Sequence, residues 1–308
     1  MGIIENENIA KHTTFHIGGP ARYFCEVKSI EELKEALEFA EENSLSYFIL
    51  GGGSNVIASD EGYKGIIIKI FNFQFSIFKE YIECDAGVSL AKVVSESMKN
   101  GLIGMEWAWG IPGTVGGAVR GNAGAYGGEM KDGIEAVTVL RNGKIVKLKN
   151  KECGFGYRES IFKKDENIIL GIKIKLEKGN TERLKSAKEK IDKIKNERGD
   201  KFKGGYNAGS FFKNVELKER EIKILKKKFS EIPDQFVTKK IVPAAWLIDQ
   251  CDLKGFCVGD ICVSEKHAGI ILNKGKGTSD ELSQLVGIIK MKVRDKFNIN
   301  LEEEIQYL

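Results

Sequence analysis

Apolar residues recur at helical spacing at Ile30, Leu33, Leu37 and Ala40, behind a Ser29–Glu32 pair spaced as a capping box, which predicts a helix over about 30–43. The run Tyr47-Phe48-Ile49-Leu50 predicts a short strand that stops at three consecutive glycines, and 65–70 predicts another. Residues 81–86 read as a strand leading into a helix that starts near Ser89 and stops at Gly101. The runs 136–140 and 144–148 flank Arg141-Asn142-Gly143, and Asn-Gly between alternating runs is a strong hairpin signal. Ile168, Leu170, Ile172, Ile174 and Leu176 alternate as one face of a further strand. A lysine-rich amphipathic helix is predicted over about 181–198, with 198–206 as a linker. Beyond it we expect a helix near 243–251, strands near 257–263 and 268–272, a helix over about 279–296 and a last strand over 300–307. This mixture lacks a regular βαβ repeat, so an α+β fold is favoured over a doubly wound sheet. At 308 residues a single core stops growing, and two or three domains are expected.

Composition sharpens this picture at glycine. Thirty-five glycines are 11% of the chain, against about 7% on average, and only four prolines accompany them. Disorder and collagen raise both residues together, so both are disfavoured. Eleven of the glycines fall between 101 and 133. Clumped glycine without proline points to ordered backbone that turns sharply or approaches something closely.

The 48 Lys+Arg against 44 Asp+Glu leave a net charge of +4, which argues against a nucleic-acid binder. No apolar run reaches the ~18 residues of a membrane span, and no signal peptide is visible at the N-terminus. Six scattered cysteines read as reduced, mostly buried thiols of a cytoplasmic protein. Cys251, Cys257, Cys262 and His267 contain no C-x-x-C pair, so no metal is expected.

Two segments carry the candidate binding chemistry. Leu50-Gly51-Gly52-Gly53-Ser54-Asn55-Val56 follows a strand, and its amides suit a phosphate nest. It is neither a dinucleotide G-x-G-x-x-G nor a P-loop, and a plain turn would need fewer glycines. Residues 110–127 are nearly all small, with Thr114, Asn122 and the amides as donors. A core helix would not tolerate that much glycine, at ~1 kcal/mol each. Two such segments suit a long diphosphate ligand better than a single phosphate. Arg158, in Tyr157-Arg158-Glu159-Ser160, offers a fork for a carboxylate or a developing enolate, although a surface Arg–Glu pair is the default. Ser210 lies outside any G-x-S-x-G and alone reads as a loop serine. Glu304, in a loosely alternating C-terminal run, does not stand out by periodicity.

Together these segments resemble the UDP-N-acetylenolpyruvoylglucosamine reductases (MurB) in their short form, which lacks an inserted substrate loop. Thr13-Thr14-Phe15-His16-Ile17-Gly18-Gly19, the 50–56 and 110–127 segments, Tyr157-Arg158-x-Ser160 and Ala208-Gly209-Ser210-x-Phe212-Lys213-Asn214 match in order. Leu247-Ile248-Asp249-Gln250-Cys251-x-Leu253-Lys254-Gly255, Lys266-His267-Ala268-Gly269 with Asn273, and Leu301-x-x-Glu304 complete the series. Each match is modestly specific; eight in the same order are very specific.

The resemblance implies an FAD-binding α+β fold of the vanillyl-alcohol-oxidase type. Residues 1–198 would form the FAD domain, in subdomains of about 1–70 and 71–198, and 199–308 a substrate domain. It implies FAD contacts from Leu50, Gly51, Gly52, Gly53, Ser54, Asn55 and Val56, and from Gly110, Ile111, Pro112, Gly113, Thr114, Gly116, Gly117 and Ala118. Asn122, Ala123, Gly124, Ala125, Tyr126 and Arg158 complete that set. NADPH would reduce FAD, and reduced FAD would reduce the enolpyruvyl group of a UDP-sugar, with Arg158, Ser210 and Glu304 catalytic and Asn214, Lys254 and His267 touching substrate. No nucleic-acid or membrane partner is implied, and no oligomer is required. The chain departs from the family pattern at His16, where many members carry Arg, at Val215, where Pro is usual, and in a missing proline near 201–206. Two other readings remain open: a different flavin oxidoreductase on this fold, which would not need Arg158, Ser210 and Glu304 together, and a non-catalytic nucleotide-sugar binder.

Overall fold

A computed structural model describes residues 1–71 and 74–308. The chain divides into two compact units, and neither is contiguous. Met1–Asn8, Pro20–Ser54 and Gly62–Gly199 form the first; Ile9–Gly19, Asn55–Glu61 and Asp200–Leu308 form the second. The expected division at 198/199 therefore needs correction in two N-terminal segments, which belong with the C-terminal residues.

The first unit carries two main sheets. β1 (Ile3–Asn8), β2 (Pro20–Val27), β3 (Tyr47–Leu50) and β4 (Tyr63–Ile70) lie in the order β1-β2-β4-β3, with β1 antiparallel to β2 and the other pairs parallel. Helix α1 (Ile30–Glu42) begins at the expected capping residue, since Ser29 Oγ accepts from the Glu32 amide at 3.1 Å. Its Leu33, Ala36 and Ala40 pack with Ile66 and Ile68 of the sheet.

The second sheet is antiparallel. Its strands are β5 (Phe75–Phe78), β6 (Tyr81–Asp85), β7 (Ile134–Arg141), β8 (Lys144–Lys149) and β9 (Ile168–Lys175), in the order β8-β7-β9-β6-β5. The β7–β8 turn holds Asn142 and Gly143 at φ 49° and 72°, the two positive values that a two-residue hairpin of this kind demands. Helices α2 (Leu90–Lys99) and α3 (Val115–Arg120) share a core with this sheet through Val93, Val119, Val137 and Ile172. Helix α4 (Thr181–Lys201) runs through Arg198 and Gly199, so the start of the expected linker is helical.

The second unit contains α5 (Glu219–Lys228), α6 (Asp234–Lys239), α7 (Ala244–Asp249) and α8 (Ser279–Phe297). β10 (Cys257–Val258), β11 (Ile261–Val263) and β12 (Ile271–Asn273) form a small antiparallel sheet. Phe15, Ile17 and Ile57, from the two N-terminal segments, lie in its core beside Leu247, Ile261 and Leu285. Burying such a side chain is worth about 1.5–3 kcal/mol, which explains why these segments join this unit. The expected strand over 300–307 shrinks to Gln306–Tyr307, parallel to Val56–Ile57. Among the described residues, no helix is long and apolar enough to cross a membrane.

The cysteine expectation is corrected as well. The β10–β11 register puts Cys257 opposite Cys262, and the two form a disulfide. Cys25, Cys84, Cys153 and Cys251 are free, and burial raises each of their pKa values. Unfolding without reductant should therefore expose four titratable thiols, and unfolding after reduction six. Six thiols without reductant would show that the pair is open.

Candidate functional site

The two glycine segments meet in the first unit. A Cβ on Gly52 would lie 2.6 Å from Gly113 Cα, and one on Gly51 would lie 2.6 Å from Thr114 Oγ1. Gly113, at φ +107°, faces Ser54 in the same way, and Ser54 Oγ donates to Pro112 O at 3.1 Å. The turn after β3 therefore packs backbone against backbone on the segment before α3. A Cβ on Gly116 would come 2.7 Å from Ala86 Cβ, so α3 sits equally close to the end of β6. Glycine serves packing as well as turning here.

Beside this contact opens a cleft of about 520 Å³, lined by Gly51, Thr114, Gly116, Gly117 and Arg120, with apolar wall from Phe48, Ile49, Phe162, Ile168 and Ile169. Thr114 Oγ1 accepts from the Gly117 amide at 3.3 Å and keeps its own proton to donate. Burial lowers the pKa of Arg120, whose Nη1 is enclosed without a hydrogen-bond partner. Asp165, Glu166 and Asn167 also line the cleft; its apolar wall, its glycine cradle and a half-buried arginine whose Nη1 lacks a hydrogen-bond partner fit a dinucleotide such as FAD.

Not every residue of these segments faces that cleft. Asn122, fully buried at φ 41°, donates through Nδ2 to Glu129 Oε2 (2.6 Å) and Gly156 O (2.8 Å), and its Oδ1 accepts from the Lys131 amide (3.0 Å). Its side chain is spent on the loop, where a ligand donor was expected. Asn55 and Val56 fall in the second unit. There Asn55 Nδ2 donates to Glu304 O at 3.1 Å, and Val56 pairs with Gln306, so both also tie down the C-terminal segment.

Arg158 occupies a two-residue turn closed by the Gly156–Glu159 pair. Its φ is 55°, at a turn position that usually takes glycine. The side chain is held by a 2.6 Å hydrogen bond from Nη2 to Gly124 O, within the second glycine segment. Tyr126, in the turn that follows Gly124 and Ala125, is exposed and bonds the Arg198 side chain, which also donates to Gly110 O at 2.9 Å.

In the second unit, Ser210 and Glu304 are brought together across 94 residues of sequence by backbone pairing. Ser210 pairs with Ile270, and the Phe211 amide donates to Gly269 O at 2.9 Å. On the other side, the Glu304 amide donates to Phe211 O (2.9 Å) and the Lys213 amide to Glu302 O (2.8 Å). Phe211 and Phe212 are buried, while Ser210 is left exposed. Gly209, at φ +81°, has open space where a Cβ would be. Asn214 Oδ1 accepts from the Ala244 amide at the start of α7 (3.3 Å), and Lys254 pairs with Asp249 at 2.7 Å.

His267 Nδ1 accepts from the Gly269 amide at 3.2 Å, so the ring proton sits on Nε2. Burial, with help from the Lys201 and Lys254 charges, pushes its pKa down to about 4 against the pull of Asp249. At neutral pH it is an uncharged donor. His16, the departure noted in the sequence, stacks on Tyr206 with ring centroids 3.9 Å apart. Asn273 donates to Phe15 O at 3.0 Å and accepts from the Gly275 (2.8 Å) and Gly277 (3.0 Å) amides. Neither spacing nor composition marks Arg120, because its enclosed Nη1 is a product of packing.

Two family models match the chain: an FAD binding domain over residues 21–149, and a UDP-N-acetylenolpyruvoylglucosamine reductase C-terminal domain over 200–308. The UDP-N-acetylenolpyruvoylglucosamine reductase of Clostridium novyi is 36% identical over 98% of this chain and 91% of its own length. That of Caldanaerobacter subterraneus is 36% identical over 98% and 92%. A crystal structure of the Thermus caldophilus reductase superposes with a TM-score of 0.77 at 31% identity, covering 99% of this chain and 98% of that one.

Two outcomes test this geometry. Gly52→Ala should cost about 1–3 kcal/mol of stability, because both partners at the clash are backbone. Its bound flavin, read as visible absorbance per protein, should fall with it, whereas Gly287→Ala, in open space within α8, should leave flavin content unchanged. The pH dependence of stability tests His267. Its depressed pKa gives stability present above the unfolded value of about 6.5 and lost as pH falls toward 4. His267→Asn should flatten denaturant-unfolding stability across that window; an unchanged slope would assign it to other groups.

Proposed function

The chain belongs to the UDP-N-acetylenolpyruvoylglucosamine reductase family and carries its FAD-binding domain, and on that basis we propose that it reduces the enolpyruvyl group of UDP-N-acetylglucosamine-enolpyruvate to UDP-N-acetylmuramate, with NADPH as hydride donor. FAD, when bound, would supply the hydride chemistry that links NADPH to the terminal carbon of the enol ether. The 51–54 turn and the 113–117 segment would hold the cofactor, with Thr114 as a side-chain donor.

Hydride arrival leaves negative charge on the substrate carboxylate as an enolate. Arg158 is the cation assigned to it, and the unusual backbone of its turn supports that role by fixing where the fork starts. Donors aimed at developing charge are often the largest catalytic contribution, about 10²–10³ in rate for one lost. Ser210 would give its proton to the enolate carbon. A hydroxyl is a weak acid, so the step needs a strongly basic carbon and close placement. Glu304 would orient the substrate carboxylate or share its proton. Asn214, Lys254 and neutral His267 are assigned to the rest of the substrate.

The observation that carries this reading is the backbone pairing that sets Ser210, exposed just ahead of the buried Phe211 and Phe212, beside the Glu304 segment. Neither an alcohol oxidase nor a passive binder needs that placement. Purified protein should show a flavin spectrum that NADPH bleaches anaerobically and the enolpyruvyl sugar nucleotide restores. Failure of that substrate to reoxidise the flavin would sink the proposal. Ser210→Ala should keep flavin reduction by NADPH and lose reoxidation; if both half-reactions survive, the proton donor is another group.

A further inference from the structure

Arg120 is the last residue of α3, on the glycine-rich segment but at a position its small neighbours do not single out. It lines the cleft that Gly51, Thr114, Gly116 and Gly117 also line. Its backbone is pinned, because Ser160 Oγ, itself buried, donates to Arg120 O at 2.6 Å. The guanidinium is not pinned in the same way: Nη1 is enclosed and has no hydrogen-bond partner. Glu159 offsets part of the cost by its charge alone. Arginine carries five donors and stays charged in proteins, so an enclosed nitrogen without an acceptor is costly unless an anion completes the site.

The cleft's other features say which anion. Ser46, Asp165, Glu166 and Asn167 also line it, and its apolar wall suits a ligand with a flat apolar part. Its cradle is shaped by glycine backbone, as phosphate nests are. We propose that Arg120 is a binding residue for the diphosphate of the dinucleotide cofactor, its guanidinium turning so that Nη1, enclosed here without a partner, gives a proton to a phosphate oxygen. The inference rests on the FAD reading above and adds to it a residue outside the resemblance. Charge-assisted hydrogen bonds to arginine are among the strong ones, and losing one should weaken binding about 10- to 100-fold.

The test uses the flavin-loaded full chain. Serial dilution with recovery of free-flavin fluorescence gives the FAD Kd, and displacement by ADP or by adenosine separates phosphate from ring contacts. Arg120→Gln should raise the FAD Kd and the ADP displacement constant by about 10- to 100-fold and leave adenosine unchanged. Arg120→Lys, which keeps the charge but not the fork, should lose less. Unfolding temperatures of the flavin-free chains should agree between variants, which separates lost binding from lost folding. Unchanged FAD and ADP constants in Arg120→Gln would overturn the assignment, and so would an equal loss for adenosine, which would place the contact on the ring. Wild-type protein that retains no flavin would overturn the cofactor reading itself, and this proposal with it.

Discussion

The first unit depends on one contact: Gly52 against Gly113, with no room for a Cβ between them. That approach lets the strand-end turn and the segment before α3 act as one cradle, although about sixty residues separate them in sequence. It explains why glycine is in excess while proline is scarce. Proline would remove amides that the cradle presents, and any side chain at Gly52 would push the two backbones apart. The same tightness sets α3 against the end of β6 through Gly116 and so fixes where Arg120 emerges.

In the second unit, order comes from paired backbone instead of absent side chains. Residues 210–213 have neighbours on both sides, 269–270 and 302–304, and Asn273 and Asn55 tie the adjoining loops by side-chain amides. A residue in such a segment has little freedom, so Ser210 reaches solvent from a rigid base. The uncharged His267, whose Nδ1 accepts from the Gly269 amide, adds no positive charge to a region that already holds Lys201 and Lys254. The polar side chains divide by whether the fold has consumed them. Asn122 and Asn273 have spent their hydrogen bonds on loops, whereas Arg120 Nη1 has not.

Locally coded features were legible from sequence. The capping box at Ser29, the Asn142-Gly143 turn and the periodic runs of α1, α2 and β9 depend on neighbours within a few positions, and the structure has them within a residue or two of their expected ends. Weakly patterned stretches are less legible: β1 has no buried residue, α5 has only Ile222 and Leu225 buried among charged residues, and the expected α4 continues past 198 through a glycine that resembles a linker. Cys257 and Cys262 looked like separate core thiols because only the hairpin register puts them face to face.

The sequence by itself determined the α+β class, the glycine cradle and the family, because composition, local turn chemistry and the order of short motifs are all linear properties. Tertiary structure alone decided that residues 9–19 and 55–61 belong with the C-terminal unit, that Asn55 donates to Glu304 O, and that Arg120 Nη1 is enclosed without a hydrogen-bond partner. Each of these is a matter of which distant atoms exclude water from a polar group or fill an apolar gap. No spacing along the chain encodes that, because burial is set by everything that packs around a residue at once.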